Sequence, residues 1–379
     1  MSLNQALERR WEIVVIGAGL AGALAARELA RRGHAVLLVD RSTFPRDKVC
    51  GGCLNHRALA VLDAVGLGEL PLQLGGIPLE AMRMAAGGQE ARLSLPSGVA
   101  LSRQVLDQAL VEAAREAGAC FLPGTLAALP SQSTAMASSR EVVLRQREAT
   151  GSIRASVVIA AGGLGSRPDR VRPGSRLGVG AVVESSNDYP PGEINMCCGP
   201  EGYLGLVRVE AGRLAVAGAF DTSALRKAGG PKPLARQLLE QCGWPVPVGL
   251  ETATWKGTLP LTRRAIRVAE HRLFVIGDAA GYVEPFTGEG MAWALGSALA
   301  VAPLAAEAVG DWTPHLAQRW MRRHRQIVQR SQGICRVAAS VLRYPSLVGS
   351  VVRLLHLAPW LSRPVVRQLN RRPSWLAGG

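Results

Sequence analysis

Continuous apolar runs separated by glycine-rich turns give the N-terminal part of the chain its pattern. Residues 13–16 are all apolar, and residues 35–39 form a second apolar run. A run without polar alternation is typical of a strand that is buried on both faces of a parallel sheet. The alanine- and leucine-rich stretch between the runs predicts a helix. The pattern therefore predicts a strand–helix–strand unit.

The turn between the first strand and the helix carries three spaced glycines. Gly17 permits a tight turn, Gly19 lets the backbone approach a pyrophosphate, and Gly22 lets the helix pack close to the strand. The helix N-terminus then presents free N–H groups and a partial positive charge to phosphates. Asp40 follows the glycines by about 20 residues, where a carboxylate can accept ribose hydroxyls. This acid favours NAD or FAD over NADP, and the motif alone leaves NAD and FAD both open.

The middle of the chain changes to short, alternating stretches with turns between them. Residues 141–146 and 153–161 predict a strand pair that closes the nucleotide domain. Shorter alternating stretches within residues 75–100 indicate strands that leave the first sheet. An antiparallel sheet, suited to a substrate domain, is predicted from the strand candidates 178–185, 193–198, 203–209 and 213–220.

A second glycine-and-acid turn follows the apolar run 272–276. Gly277 and Asp278 end this predicted strand, and Gly288 and Gly290 precede a long apolar helix. The carboxylate can accept sugar hydroxyls. The N–H groups freed by the glycines can face an electron-rich group such as the pyrimidine carbonyls of a flavin.

The loop after Asp40 contains a Cys-x-x-Cys pair, Cys50 and Cys53, within paired glycines. Three interpretations stay open: a redox dithiol, half of a metal site, or a glycine loop pressed against a flat ligand. A zinc site needs a second ligand pair. The chain offers only the adjacent Cys197 and Cys198, which are poorly placed for tetrahedral chelation.

Composition limits the class of protein. With 379 residues and 48% apolar content, we expect a globular chain of one or two domains. Seven irregularly spaced cysteines argue against a disulfide framework and favour the cytoplasm. The N-terminus does not resemble a signal peptide. The apolar run 291–309 contains Gly296, Pro303 and Glu307, so we expect a buried helix rather than a membrane span.

The net charge of +15 is concentrated in the C-terminal region. After Asp311 there is no acidic residue, and four of the eight tryptophans lie in this region. Basic amphipathic helices of this kind suit an anionic membrane surface, or they cover the domain with arginine heads in water. Both interpretations stay open, and no nucleic-acid partner is expected because no RNA-binding module is present. The positive charge of this region comes from the twelve arginines that follow Asp311: Arg319, Arg322, Arg323, Arg325, Arg330, Arg336, Arg343, Arg353, Arg363, Arg367, Arg371 and Arg372.

These motifs, in this order, resemble the geranylgeranyl-reductase-like flavoproteins of the FAD-dependent superfamily with the para-hydroxybenzoate hydroxylase fold. The resemblance rests on both glycine-and-acid turns, the 46–52 loop, and Ser102–Arg103 with Asp107. It implies an α/β fold: a Rossmann-type FAD-binding domain, an inserted, mostly antiparallel substrate sheet and a C-terminal helical tail. The implied domains are 1–75, 100–165 and 265–310 for FAD, 76–99 and 166–264 for substrate, and 311–379 for the basic helical region.

The resemblance also implies the cofactor, FAD, and the residues that bind it. The first glycines would hold the diphosphate, Asp40 the adenosine ribose, and Asp278 the ribityl chain or pyrophosphate. The Cys50 loop would lie beside the isoalloxazine. The full implied set is Gly17, Gly19, Gly22, Asp40, Arg41, Arg46, Lys48, Cys50, Gly51, Gly52, Arg103, Gly277, Asp278, Pro285, Gly288, Gly290 and Met291.

Two departures from the family pattern bear on the reaction. Gly162–Gly163 stands where the family usually has Asp–Gly, a stretch linked to the handling of FAD and reduced nicotinamide. NAD(P)H is still the expected electron donor, but this expectation rests on the family resemblance alone. In the substrate sheet, residues 202–207 replace an aromatic Trp–Phe–Pro-type motif, so the substrate is less constrained than the cofactor.

The leading hypothesis is an FAD enzyme that reduces C=C bonds of a lipophilic isoprenoid- or polyketide-like small molecule. Tyr203 or Cys50 would supply the proton. The alternative is a monooxygenase that hydroxylates an aromatic or polyketide substrate through a flavin C4a-hydroperoxide. A flavoprotein that binds RNA is a remote alternative. A thioredoxin-reductase-like enzyme is disfavoured because the second nicotinamide fingerprint is missing. We expect a cytoplasmic protein, with membrane association left open.

Overall fold

A computed structural model of the chain describes residues 1–130, 138–183, 188–284, 286, 288–370 and 373–376. Its strands are β1 (Trp11–Ile16), β2 (Val36–Val39), β3 (Cys53–Asn55), β4 (Ile77–Pro78), β5 (Ala81–Ala86), β6 (Gln89–Ser94), β7 (Gly98–Ala100), β8 (Cys120–Leu122), β9 (Leu126–Ala128), β10 (Arg140–Gln146), β11 (Ala149–Ala160), β12 (Asp169–Val171), β13 (Leu177–Val183), β14 (Glu193–Gly199), β15 (Gly202–Arg208), β16 (Leu214–Phe220), β17 (Lys256–Pro260), β18 (Arg263–Ala265), β19 (Ala269–Glu270) and β20 (Leu273–Val275).

The α-helices lie mostly between and after these strands. They are α1 (Leu3–Glu8), α2 (Leu20–Ala30), α3 (His56–Ala64), α4 (Leu70–Gln73), α5 (Arg103–Glu116), α6 (Thr222–Lys227), α7 (Pro231–Gln241), α8 (Gly290–Gly310), α9 (Pro314–His324), α10 (Gln332–Val341), α11 (Pro345–Leu357) and α12 (Arg363–Leu369). Short helical turns include Gly277–Ala280 and Pro359–Ser362, and a π-helix, Arg325–Gln329, follows α9.

The first sheet has a parallel centre. Its main path is β19-β20-β11-β1-β2-β8, and β10 and β9 add antiparallel strands beside β11. Strand β1 lies parallel to both of its neighbours, β2 and β11. Ile13, Val14 and Val15 are fully buried because helices cover one face and α1 with the β9–β10 extension covers the other. The predicted strand–helix–strand unit is confirmed.

The second sheet has seven strands and is mostly antiparallel. Its order is β17-β13-β16-β15-β14-β5-β6, and the β14–β5 pair alone is parallel within this order. Helix α7 packs on one face, and α11 packs on the other through Val348 and Val352. The inserted, mostly antiparallel sheet predicted from the sequence is confirmed.

A small sheet, β3-β7-β4, packs against both large ones: Leu54 and Val99 belong to the core cluster of the first sheet, and Ala100 packs with residues of the second. Cys53 pairs with Ala100 in this sheet, so it fixes the end of the loop that carries Cys50. Strands β4 and β7 come from the predicted insert 76–99, whereas β5 and β6 from the same stretch join the large antiparallel sheet. This stretch therefore connects the two halves of the molecule.

The C-terminal region begins inside the nucleotide-domain core, crosses the substrate sheet with α11, and returns to the core at Trp375. Leu316 and Trp320 of α9 are buried in the cluster that contains α2, α5 and α8. The Trp320 indole donates a hydrogen bond to the Val275 carbonyl, 3.2 Å away. Helix α8 is the one helix in the described ranges that is long and apolar enough to cross a membrane, but 72% of its most apolar window is buried inside the protein. This agrees with the predicted buried helix.

Candidate cofactor and substrate site

The first glycine turn brings backbone segments too close for side chains. A Cβ built on Gly22 would lie 1.7 Å from the carbonyl oxygen of Gly17, and one on Gly17 would lie 2.4 Å from the carbonyl oxygen of Ala161. Gly17 also has φ +103°, a left-handed value that favours glycine. Helix α2 begins after Gly19 with no side-chain cap, so its first N–H groups stay free for an anion.

Asp40 lies at the end of β2 beside this turn. Its buried carboxylate accepts hydrogen bonds from the backbone N–H of Ala18 at 2.7 Å and of Ser42 at 2.8 Å. A carboxylate has about four lone-pair sites, so acceptor capacity remains for ribose hydroxyls. Asp40 thus fixes the glycine turn and has the chemistry for the predicted ribose contact.

Two guanidinium groups border the space in front of α2. Nη2 of Arg46 and Nη2 of Arg103 lie 3.4 Å and 3.5 Å from the position a Cβ would take on Gly19. Arg103 donates two hydrogen bonds to Asp107, at 2.7 Å and 2.9 Å, and Arg46 lies 3.3 Å from the same carboxylate. The buried Nε of Arg46 has no hydrogen-bond partner among the described residues. A pyrophosphate would supply acceptors for this cationic pair, so the donor set fits the diphosphate of FAD.

The second glycine-and-acid turn lies against the first turn of α2. Gly277 has φ +59°, and a Cβ on it would lie 2.9 Å from the Cβ of Ala21. Asp278 accepts a 3.0 Å hydrogen bond from Lys48 of the 46–52 loop. Gly277 donates its N–H to the hydroxyl of Ser297 on α8 at 3.0 Å. The structure therefore brings together two turns and one loop that are far apart in the sequence.

The loop of Cys50 and Cys53 is held by its own backbone. Gly52 donates its N–H to the sulfur of Cys50, 3.4 Å away, and the Cys53 thiol donates to the carbonyl of Gly51, 3.2 Å away. Burial, and to a lesser degree Cys50, raises the pKa of Cys53 well above its usual value. Cys53 therefore stays a neutral thiol near neutral pH. Within the described ranges no group of three or more metal-ligating side chains is found.

A cavity of about 300 Å³ lies where the loop, the two turns and the substrate sheet meet. Five of the predicted residues lie beside the turns and do not line the cavity: Gly17, Gly22, Asp40, Arg46 and Gly52. Arg41 is exposed next to Asp40, and Pro285 lies outside the described residues. The predicted residues that line the cavity are Gly19, Lys48, Cys50, Gly51, Arg103, Tyr203, Gly277, Asp278, Gly288, Gly290 and Met291.

The cavity has a polar end and an apolar end. Lys48, Arg103 and Asp278 line the end near the glycine turns. Side chains from β5, β14 and β15 together with the loops after β17 and β20 line the rest: Met82, Ile194, Met196, Leu206, Leu261 and Phe286. An apolar chamber next to the place for a flat ring system suits a lipophilic substrate.

Two tyrosines, the buried Tyr203 and the half-buried Tyr282, reach the cavity. The Tyr203 ring packs edge-to-face on Phe286, with ring centroids 5.0 Å apart. Burial, followed by the nearby Glu284, raises the pKa of Tyr203, and burial, followed by Asp278, raises the pKa of Tyr282. Both phenols therefore keep their protons near neutral pH and can donate them. Sequence reasoning missed Tyr282, although its position four residues after Asp278 places it close to the second turn.

A buried acid, Glu289, lies at the N-terminus of α8 behind the cavity wall. Asn55 donates to one of its carboxylate oxygens at 3.2 Å and Arg57 to the other at 3.4 Å. Burial raises the pKa of Glu289 to about 7, although Arg57 and Asn55 act to lower it. The sequence analysis missed this residue. Its position between Gly288 and Gly290 was the available signal.

Comparison with known families identifies the cofactor. Residues 10–196 match the FAD binding domain family. This match includes the first glycine turn, Asp40, the cysteine loop and Arg103. The predicted FAD cofactor is confirmed, whereas the roles of individual binding residues and the NAD(P)H donor stay predictions.

Several known proteins are similar over most of the chain. A menaquinone reductase of Mycobacterium tuberculosis is 29% identical over 82% of this chain and 81% of its own length. A digeranylgeranylglycerophospholipid reductase of Methanothermobacter thermautotrophicus is 27% identical over 85% and 86%. A ubiquinone hydroxylase of Rhodospirillum rubrum is 26% identical over 75% and 70%.

Solved structures confirm the fold. A flavin-dependent brominase superposes with a TM-score of 0.79 at 15% identity, covering 96% of this chain and 94% of that one. A geranylgeranyl bacteriochlorophyll reductase-like protein of Thermoplasma acidophilum superposes with a TM-score of 0.78 at 17% identity, covering 97% of both chains. The FAD binding domain match and the similarity to digeranylgeranylglycerophospholipid reductases confirm the predicted resemblance to geranylgeranyl-reductase-like flavoproteins.

Proposed function

We propose that this chain, an FAD-dependent oxidoreductase of the para-hydroxybenzoate hydroxylase-fold superfamily, reduces C=C bonds of a lipophilic polyprenyl substrate. The observation that carries the proposal is the apolar chamber that opens directly onto the residues suited to FAD. The names of two similar proteins, a menaquinone reductase and a digeranylgeranylglycerophospholipid reductase, point to substrates of the same lipophilic class.

The cofactor would be held at both ends by separate parts of the chain. The N-terminus of α2 with Arg46 and Arg103 would bind the diphosphate, Asp40 the adenosine ribose, and Asp278 with Lys48 the ribityl side. When bound, FAD supplies the hydride-transfer chemistry. The residues of the chain supply binding, orientation and the exclusion of water.

The apolar wall would position the substrate and keep water out. Met82, Met196 and Leu206 offer contacts to a flexible hydrocarbon chain, and methionine side chains adapt to irregular shapes. A double bond held here needs a proton as well as a hydride, because reduction adds one hydrogen to each carbon. Tyr203 and Tyr282 are protonated donors on the cavity wall, and Cys50 is a third predicted donor.

The proposal is tested with protein loaded with FAD, reduced chemically under argon and given a polyprenyl quinone or polyprenyl lipid. We expect a polyprenyl chain heavier by two hydrogens per reduced double bond, measured by mass spectrometry after air oxidation has returned any quinol to the quinone. Tyr203→Phe should slow the reaction about 100-fold if its proton is used, within the usual range for general acids. Tyr344→Phe, an exposed tyrosine, is the matched control and should leave the rate unchanged. No hydrogen gain with any polyprenyl substrate would contradict the proposal.

Hydroxylation is the second candidate, and the similarity to a ubiquinone hydroxylase favours it. The same protein is then incubated with NADH or NADPH and substrate in isotopically labelled oxygen. Labelled oxygen in the product, with no hydrogen gain under argon, would establish a monooxygenase. Faster oxidation of NADH than of NADPH, or the reverse, would identify the electron donor. The glycine at position 162, where the family usually has aspartate, does not predict which coenzyme is used.

A further inference from the structure

An exposed apolar surface runs along the C-terminal helices. Its residues lie on α11, on the turn Pro359–Ser362 and on α12, and they are from 36% to 72% exposed. We call it the C-terminal apolar face. It consists of Leu347, Val351, Leu354, Leu357, Trp360 and Val365.

Helix α11 is apolar on two sides. Val348 and Val352 are buried against the substrate sheet. Leu347, Val351 and Leu354 follow each other at spacings of four and three, so they form one stripe on the helix surface away from that contact. A helix that served only to cover the sheet would need the first side alone.

The charge around this face is of one sign. Arg353, Arg363 and Arg367 are exposed on the same elements, and no acidic residue follows Asp311 in the sequence. Glu90, on the hairpin beneath α11, is occupied by two hydrogen bonds from Arg83, at 2.6 Å and 2.9 Å. Exposed apolar residues interleaved with arginines complement a surface that is itself apolar and anionic.

The face adjoins the cavity. Val366, within α12, and Asn370, just after it, line the cavity wall, whereas the neighbouring Val365 is 55% exposed. Helix α12 therefore separates the exposed face from the substrate chamber by the thickness of one helix.

We propose that the C-terminal apolar face lies on an anionic lipid bilayer and that the lipophilic substrate enters the cavity from that bilayer past α12. Helix α11 has 13 residues, fewer than the roughly 20 needed to span a bilayer, so it lies in the interface. The entry route rests on the proposed function, whereas the lipid contact stands on the face alone.

The lipid contact is tested by flotation of the FAD-loaded full chain with vesicles of phosphatidylcholine, with and without phosphatidylglycerol. We expect binding to the anionic vesicles and much weaker binding to the neutral ones. Arg353→Gln, Arg363→Gln, Arg367→Gln together should weaken binding about 100-fold, since each basic residue near an anionic surface contributes about fivefold. The matched control Arg115→Gln, Arg226→Gln, Arg264→Gln removes the same charge from other exposed positions and should retain most of the binding.

The apolar part is tested with Leu354→Ser, Leu357→Ser, Trp360→Ser. These side chains are exposed, so the variant should keep the absorption spectrum of bound FAD while vesicle binding falls at least about 100-fold. The control Leu126→Ser, Val171→Ser, Val248→Ser changes three exposed apolar residues elsewhere and should bind vesicles like the parent. Equal loss in the control variant would overturn the proposal.

Two outcomes separate this inference from the proposed function. Vesicle binding without reduction of any polyprenyl substrate would support the lipid contact and overturn the function. Reduction of a detergent-solubilised substrate without vesicle binding would support the function and overturn the lipid contact. Binding to RNA but not to vesicles, or a dimer that the apolar-face variant dissolves, would also overturn the lipid contact.

Discussion

At the scale of single residues, the tightest approach in the cofactor site is the one between Gly22 and the carbonyl oxygen of Gly17. We predict that Gly22→Ala abolishes FAD binding, because a Cβ 1.7 Å from a backbone oxygen forces α2 away from β1. Gly310→Ala is the matched control, since nothing lies within 4 Å of its Cβ. Flavin absorbance after gel filtration measures both. Full FAD content in Gly22→Ala protein would show that the turn is not formed as described.

Glu289 predicts a pH-dependent stability. Its pKa is raised from 4.5 to about 7 in the folded protein, chiefly by burial. The folded state therefore binds the proton more tightly than the unfolded state. The resulting stabilisation is complete below the unfolded pKa and is lost as the pH rises through about 7. A shift of this size corresponds to a free energy on the order of 3 kcal/mol.

Glu289→Gln should remove this dependence. Relative to the parent, the variant should gain stability as the pH rises from about 5 to about 8, because the amide never becomes a buried anion beside Arg57. Urea unfolding at several pH values, with FAD in excess, measures the difference. Glu116→Gln, at an exposed position, is the control and should run parallel to the parent. A constant offset between Glu289→Gln and the parent would contradict the assignment.

At the scale of elements, a buried ion pair joins three segments that meet behind the cavity. Arg176, just before β13, lies 3.3 Å from Glu284 and donates to the carbonyl of Leu342, after α10, at 3.2 Å. Both charged side chains are almost fully buried, and Glu284 is two residues from the cavity residues Tyr282 and Phe286. The pair therefore ties the C-terminal helices to the loop that carries the phenol and the aromatic ring.

We predict that Arg176→Met lowers the free energy of unfolding by about 3–5 kcal/mol, because it leaves Glu284 buried without its partner. The double variant Arg176→Met, Glu284→Gln should lose less, since no uncompensated charge remains. Arg115→Met, which breaks an ion pair with Glu112 whose two side chains are 56% and 45% exposed, should cost less than about 1 kcal/mol. Denaturant titration ranks the three. Equal losses for Arg176→Met and Arg115→Met would contradict this ranking.

The sequence predicted those elements whose pattern is local. The apolar runs of β1 and β2 and the alanine- and leucine-rich α2 depend on neighbouring residues, so the types of these elements followed from the sequence pattern. The residues from distant segments that contact these elements could not be predicted in the same way. Glu289 meets Asn55 and Arg57 because β3 and α3 pack against the N-terminus of α8, more than 230 residues away in the sequence, and the sequence alone does not fix that packing.

The burial of tail residues was equally hidden. Trp320 belongs to an amphipathic helix whose basic sequence predicts a position on the protein surface. Its indole nevertheless donates a hydrogen bond to the Val275 carbonyl in the nucleotide-domain core. Amphipathicity tells that one face is covered but not by what. Of the tail tryptophans, Trp360 is the one on the C-terminal apolar face and is 61% exposed.

At the scale of the whole molecule, the residues suited to FAD come from the first glycine turn, the cysteine loop and the turn after β20. Bound FAD should therefore stabilise the chain as one unit. At about 100 times its dissociation constant, a ligand adds about 2.7 kcal/mol. With about 2.1 cal/mol/K of unfolding entropy per residue, this raises Tm by about 3 °C.

Calorimetry of the FAD-free and FAD-loaded protein measures this shift. One transition that moves as a whole is expected. Asp278→Asn should reduce the shift, because it weakens the contact between Lys48 and the second turn. Two separate transitions, with only one responding to FAD, would show that the substrate sheet unfolds independently of the cofactor.

Helix α8 has a consequence for any search for the membrane contact. Hydropathy singles it out as a span, yet most of it is interior, with its first residues at the cavity and Ser297 holding the Gly277 turn. Deleting α8 on the assumption that it is a membrane anchor would remove a central buried helix of the flavin domain. Trimming the chain at the end of α10 would instead remove the C-terminal apolar face, which we propose contacts lipid, together with Val366 and Asn370 of the cavity wall, so we expect a protein that no longer binds vesicles and whose cavity is open to water.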